Sequence, residues 1–199
     1  MQLLEIIMRQ FKLIPFIVLA SSGALADNDC NRKASTNQEI IKCSQESFIK
    51  IDKAINEQYR FLIESYDEKQ KKHLVETQRS WIKFKEKYCD DMYDSVYPGH
   101  EAPIDRLSCL TQITSTRFSE LIFLRTGVIS DGFYKAVSIV NKKFTNYDYG
   151  QAVNIVGGDS NLGGLWENYI MRHCAMTLAL YKEDSKMCVA RMRFQTPIN

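Results

Sequence analysis

Six cysteines, Cys30, Cys43, Cys89, Cys109, Cys174 and Cys188, constrain this 199-residue chain more than any other feature. What they do depends on the compartment: thiols stay reduced in the cytosol and pair in exported proteins. The N-terminal segment points to export. Arg9 and Lys12 precede the apolar run Leu13–Ala20, small residues follow, and Ala24-Leu25-Ala26 forms an A-x-A cleavage pattern before Asp27. Residues 1–26 therefore read as a secretory signal peptide, with Met8 as an alternative start because Glu5 suits a basic lead poorly. The run is too short to span a bilayer, and no second stretch is apolar enough to do so. No cysteine directly follows the apolar run, so a lipid anchor is not expected. The reading is a periplasmic or secreted protein without stable membrane insertion, whose cysteines are oxidised. With 26 basic against 24 acidic residues, the chain lacks the basic field that a nucleic-acid partner would require.

Hydrophobic periodicity is helical throughout. Ile41, Phe48, Ile51, Ile55, Tyr59, Leu62 and Tyr66 recur mostly at steps of three and four, predicting a helix over 37–66, and Thr36 with Glu39 supplies a capping box. A second helix is expected over about 69–93, ending before the turn signal Tyr97-Pro98-Gly99-His100, and a third over about 103–125. Short connections favour antiparallel neighbours, an arrangement that gathers Cys30, Cys43, Cys89 and Cys109 at one end. Beyond Gly127, helices are expected over about 132–144 and 164–182, with Gly157–Gly164 as a glycine-rich loop between them. The fold class is thus all-α: a disulfide-stabilised antiparallel helical bundle over 27–125 with an additional helical C-terminal extension over 126–199.

The extension carries a faint echo of the bundle. Trp81 and Trp166 each stand eight residues before a cysteine, with an aromatic three residues on (Phe84, Tyr169), a further cysteine, and then arginines: Arg117 in the first half, Arg191 and Arg193 in the second. If this is a degenerate repeat, Cys174 pairs with Cys188 and Cys89 with Cys109, leaving Cys30 with Cys43. Six cysteines allow 15 connectivities, so the alternatives stay open.

Few residues suggest catalysis. His173, Cys174 and Cys188 are poor metal ligands in an oxidising compartment, adjacent His-Cys being an unusual chelating pair; no metal or cofactor is expected. The carboxylate groups Asp67/Glu68, Asp90/Asp91/Asp94 and Glu183/Asp184 read as solvated helix ends rather than an acid–base pair. Asp90, Asp91 and Asp94 make a compact acidic patch suited to a basic partner. With the turn at Pro98 and Gly99 and the loop at Gly157, Gly158 and Asp159, they are the candidate partner-binding residues.

Cys30, Thr36-x-x-Glu39, Cys43, Tyr59, Gln78-x-x-Trp81, Phe84, Cys89, the Pro-Gly turn, Cys109 and Arg117, taken in order, resemble the LprI-type lysozyme-inhibitor-like family of small exported bacterial domains, over about residues 30–124. The resemblance implies a disulfide-tied helical bundle and inhibition of lysozyme-type muramidases. Tyr59, Gln78, Trp81, Phe84 and Arg117, with Trp166 of the second half, read as structural rather than inhibitory. The leading function is a non-enzymatic protein that binds and inhibits a cell-wall hydrolase, either as a lysozyme-type inhibitor or as an immunity protein against a secreted toxin. The alternatives are an envelope enzyme or effector acting through the extension, and an envelope assembly partner.

Overall fold

The computed structural model describes Cys30 and residues 36–129, 132–143, 147–159 and 162–196; the export segment expected at 1–26 lies outside them. Seven helices run in order: α1 (Asn37–Ser65), α2 (Glu68–Val96), α3 (Ala102–Thr126), α4 (Gly132–Lys143), α5 (Tyr149–Gly157), α6 (Gly163–Tyr181) and α7 (Ser185–Gln195). No strand occurs among the described residues, and the all-α class expected from the periodicity is the class observed. No helix of the described residues is long and apolar enough to cross a membrane.

Local sequence sets the helix starts. The Thr36 hydroxyl accepts from the Glu39 amide while the Glu39 carboxylate accepts from the Thr36 amide, the reciprocal box expected from the sequence. Asp67 with Gln70 and Asp148 with Gln151 repeat it at α2 and α5. Pro103 stands in the first turn of α3, where its missing N–H costs nothing, and Gly127 ends that helix in the left-handed region at φ 71°.

α3 is the central helix. It packs along both α1 and α2, while α6 lies against the other side of α2 and α7 against α6. One core joins Ile55 and Leu62 of α1, Leu74, Trp81 and Phe84 of α2, Leu110, Leu121 and Leu124 of α3, Trp166 and Ile170 of α6, and Met192 of α7. The C-terminal segment is therefore not hung on the outside: α6 and α7 fill the same apolar interior as the first three helices. A second, smaller core holds α4 and α5 against α7 through Phe133, Val137, Ala152, Val153 and Ala190.

Two short helices go beyond what the periodicity predicts. α5 runs through Gly157 and α6 begins at Gly163, so both ends of the stretch expected as a glycine-rich loop are helical, and α7 follows closely on α6. Gly157 is a packing residue: a Cβ there would stand 2.6 Å from the Ala190 Cβ and 2.8 Å from its Cα. Gly157→Ala is expected to cost about 1–3 kcal/mol through overpacking, although alanine is the better helix former. Chemical denaturation should recover much of that loss in the Gly157→Ala/Ala190→Gly double variant.

Candidate functional site

Two places concentrate chemistry: a buried polar chain through the middle of the bundle, and an open groove at the end where α2 meets α3.

The buried chain begins at Gln78 on α2, whose Oε1 accepts from Arg117 Nε of α3 at 3.0 Å. Arg117 Nη1 lies 3.1 Å from His173 Nδ1 of α6, and His173 Nε2 lies 2.7 Å from Glu120 Oε2 of α3. The other Glu120 oxygen accepts from Arg191 Nη1 of α7 at 2.5 Å. Arg191 then grips Glu183 with two bonds, Nε to Oε1 at 2.8 Å and Nη2 to Oε2 at 3.1 Å, and the Tyr134 hydroxyl of α4 donates to Glu183 at 3.4 Å. Arg117, Arg191, His173 and Glu120 are all buried to within 1% exposure. The two guanidinium groups also lie over aromatic faces, Arg117 over Tyr169 and Arg191 over Phe123.

Protonation follows from geometry. A guanidinium cannot accept, so His173 Nδ1 must carry the lone pair that meets Arg117, and Nε2–H donates to Glu120. His173 is thus a neutral imidazole between a cation and an anion. Burial holds its pKa below the ordinary value, outweighing the upward pull of Glu120. Burial alone would raise Glu120, but the hydrogen bonds it accepts from His173 and Arg191, with the charge of the Arg191 guanidinium, bring its carboxyl down to about 2. With Arg117, Arg191, Glu120 and Glu183 charged, the chain is electrically balanced, as buried ionic groups require.

Both shifts make the fold acid-sensitive in the same sense. The unfolded imidazole takes up its proton first, so the His173 contribution is complete above the ordinary pKa of 6.5 and is lost as pH falls below it. The Glu120 contribution is complete above 4.5 and is lost as pH falls from there toward about 2. Melting temperature against pH should therefore show two successive losses on acidification. The first should be absent in His173→Gln, and a profile flat from pH 7 to pH 3 would contradict this assignment.

The expectation of Glu183/Asp184 as a solvated pair is corrected. Asp184 is exposed and caps α7 by accepting from the Lys186 and Met187 amides, whereas Glu183 is turned inward onto Arg191. Lys182, just before it, takes the left-handed conformation at φ 59°, which turns the chain between α6 and α7.

The motif residues fall into place on this frame. Trp81 and Phe84 are core residues and Tyr59 is half-buried beside them. Gln78 and Arg117 are the first two members of the polar chain. Trp166 is buried and donates from Nε1 to Thr196 Oγ1 at 3.2 Å. Phe84 and Tyr169, the aromatics three residues after each tryptophan, stack on one another with centroids 6.3 Å apart. Cys89 is bonded to Cys109 and Cys174 to Cys188; Cys30 and Cys43 are disulfide-bonded as well.

Gln78-x-x-Trp81, the Cys89–Cys109 disulfide and Arg117, which donates back to Gln78, all lie within one segment. Residues 29–121 match the family model Lysozyme inhibitor LprI. No curated protein and no solved structure matches the chain significantly. The LprI-like segment ends just past Glu120, so the partners that complete the polar chain, His173, Glu183 and Arg191, come from beyond it.

The open groove lies at the other candidate place. Tyr88, Asp91, Met92, Ser95 and Val96 of α2 face Asp105, Ser108 and Gln112 of α3 across a space of about 640 Å³. The Cys89–Cys109 disulfide ties α2 to α3 beside the lining residues Tyr88 and Ser108. The turn closing the groove contains a cis Tyr97–Pro98 peptide, and a Cβ on Gly99 would stand 2.8 Å from the Val96 carbonyl oxygen, so glycine is required there.

The eight candidate partner-binding residues divide between places. Asp90, Asp91, Asp94, Pro98 and Gly99 sit together at the α2–α3 end. Asp90 pairs with Arg106 and Asp91 with Lys87, so part of the acidic patch is neutralised within the chain. Asp105 adds a carboxylate that sequence spacing does not single out. Gly158 and Asp159 are exposed on the α5–α6 connection, with Gly158 in the left-handed region and its carbonyl accepting from Arg193 at 3.3 Å. Gly157 is corrected: buried against Ala190, it offers no surface to a partner.

Proposed function

We propose that this chain is an extracytoplasmic, non-enzymatic inhibitor of a cell-wall-degrading muramidase, and that it holds its target at the α2–α3 groove. The observation that carries the reading is the coincidence of the LprI family match with an open, carboxylate-rimmed groove inside the matched segment. Asp105, and Asp91 with its Lys87 partner, lie beside apolar footing from Tyr88, Met92 and Val96, which suits a cationic loop of a basic enzyme. The disulfide and the tight Pro98-Gly99 turn hold the walls before a partner arrives, and such preorganisation lowers the entropy lost on binding. The oxidised cysteines fit work outside the cytoplasm. The buried chain has no route to substrate, which accords with a structural rather than a catalytic task.

The test is inhibition of muramidase lysis by the purified protein. Replacing Asp91 and Asp105 together with Asn is expected to slow association with a basic lysozyme by about tenfold at low salt, with the difference shrinking as ionic strength rises. Stability should change little, since Asp91 is exposed and Asp105 only half-buried. Absence of inhibition across lysozyme-type and toxin muramidases would sink the reading; inhibition untouched by the double change would move the target to another face.

A further inference from the structure

We propose that a second copy of this chain docks on the exposed face of α6, forming a two-fold dimer. On the outward side of that helix, beside exposed Asn168 and Arg172, apolar side chains stand exposed where solvated ones are the norm. Met171 is 66% exposed and Leu178 44%, and Ala175 and Ala179 are exposed beside them. Steps of four and three put these residues on one face. Against the strip lies a cavity of about 310 Å³, with Ala175, Met176, Ala179 and Leu180 on one wall and the N-cap Asp67 with Lys69, Gln70 and His73 of α2 on the other. Exposed apolar side chains beside a hollow with one apolar wall mark a contact surface rather than scattered exposure.

The occupant follows from the strip's own sequence. In an antiparallel pairing about the midpoint between Cys174 and Ala175, Met171 stands opposite the partner's Leu178, and Leu178 opposite the partner's Met171. Each flexible thioether then reaches the hollow flanked by the other copy's Ala175 and Ala179, a filling role that methionine suits. The same register sets Glu167 opposite the partner's Lys182, and Lys182 opposite the partner's Glu167, closing both ends with opposite charges. Glu167 and Lys182 are exposed and have no ionic partner among the described residues. A surface that matches itself in apolar and charged positions under one two-fold rotation is what an isologous dimer requires. Lys182 also sits at φ 59°, a helix-end position that favours glycine, so glycine can replace it without backbone strain. The small side chains at Ala175 and Ala179 let the two helices approach closely.

Sedimentation velocity on the protein exported through its own N-terminal segment is the test. A reversible dimer is expected. Met171→Asp should weaken it on the order of tenfold or more while leaving the helical circular dichroism and melting profile of the monomer in place, because the side chain is exposed. Glu167→Lys and Lys182→Glu should each weaken association, and the double exchange should restore it. Lys182→Gly should weaken association without loss of monomer stability. The proposal is overturned if the protein is monomeric at every concentration up to its solubility limit, if Met171→Asp or Lys182→Gly leaves the dimer unchanged, or if the charge exchange fails to restore it. Loss of muramidase inhibition by Met171→Asp in a protein that stays monomeric would assign this face to the enzyme target and overturn the dimer too.

Discussion

Replacing Glu120 with Ala is expected to remove about 3–5 kcal/mol of folding stability, the cost of stranding buried charge and hydrogen-bond donors. The carboxylate is the hinge of the polar chain: one oxygen faces the His173 N–H and the other Arg191. Without it, His173 Nε2–H has no acceptor, and Arg191 keeps Glu183 but carries an unanswered donor into a fully buried site. The melting temperature should fall by on the order of 10 °C for a domain of this size. Glu120→Gln should recover little, because its amide presents N–H to a neighbour that is itself a donor.

The network character is tested by a double-mutant cycle. His173→Phe alone strands Arg117 Nη1 and breaks the link between α3 and α6. In the Glu120→Ala background the imidazole N–H is already orphaned, so the second change should cost less than in the parent, with an interaction of about 0.5–3 kcal/mol. Strict additivity, or a Glu120→Ala shift of only a degree or two, would show that solvent or rearrangement satisfies these groups.

Much of the fold is legible in the amino-acid sequence, because it rests on local rules. The capping box at Thr36 and Glu39, the apolar stripe from Ile41 to Tyr66 and the Pro-Gly stop after α2 each act over a few residues. What stays hidden depends on partners distant in sequence. α7 is amphipathic only weakly, since its most buried large side chain is Arg191, a residue that periodicity assigns to solvent. Its start is nevertheless marked by Asp184, as that of α5 is by the Asp148/Gln151 box. The separation of Glu183 from Asp184 is not readable from two adjacent carboxylates, because one backbone turn at Lys182 decides which faces inward. Glu120 does leave a trace: it falls between Arg117, Leu121 and Leu124 on the buried face of α3, and a charge on such a face calls for a partner. The acidic groove is half visible as Asp90, Asp91 and Asp94; Asp105 joins it only because α3 folds back along α2.

The Cys174–Cys188 bond should matter more for the C-terminal helices than its place at one edge of the large core suggests. It closes a loop with a sequence separation of 14 residues, which corresponds to about 3 kcal/mol of lost unfolded-state entropy, close to that of Cys89–Cys109. The consequences differ because α4 and α5 reach the rest of the molecule mainly through α7: their small core closes on Ala190, and Tyr134 touches the polar chain only at Glu183. Replacing Cys174 and Cys188 together with Ala should therefore loosen α4, α5 and α7 as one unit. Amide exchange should accelerate across those helices while α1–α3 keep most of their protection. The matching Cys89/Cys109 double variant should instead loosen the α2–α3 groove and weaken muramidase inhibition. If removing Cys174–Cys188 raised exchange evenly over the whole chain, with no selective loss of protection in the C-terminal segment, then α7 would be an integral member of a single cooperative unit rather than the anchor of a separable one.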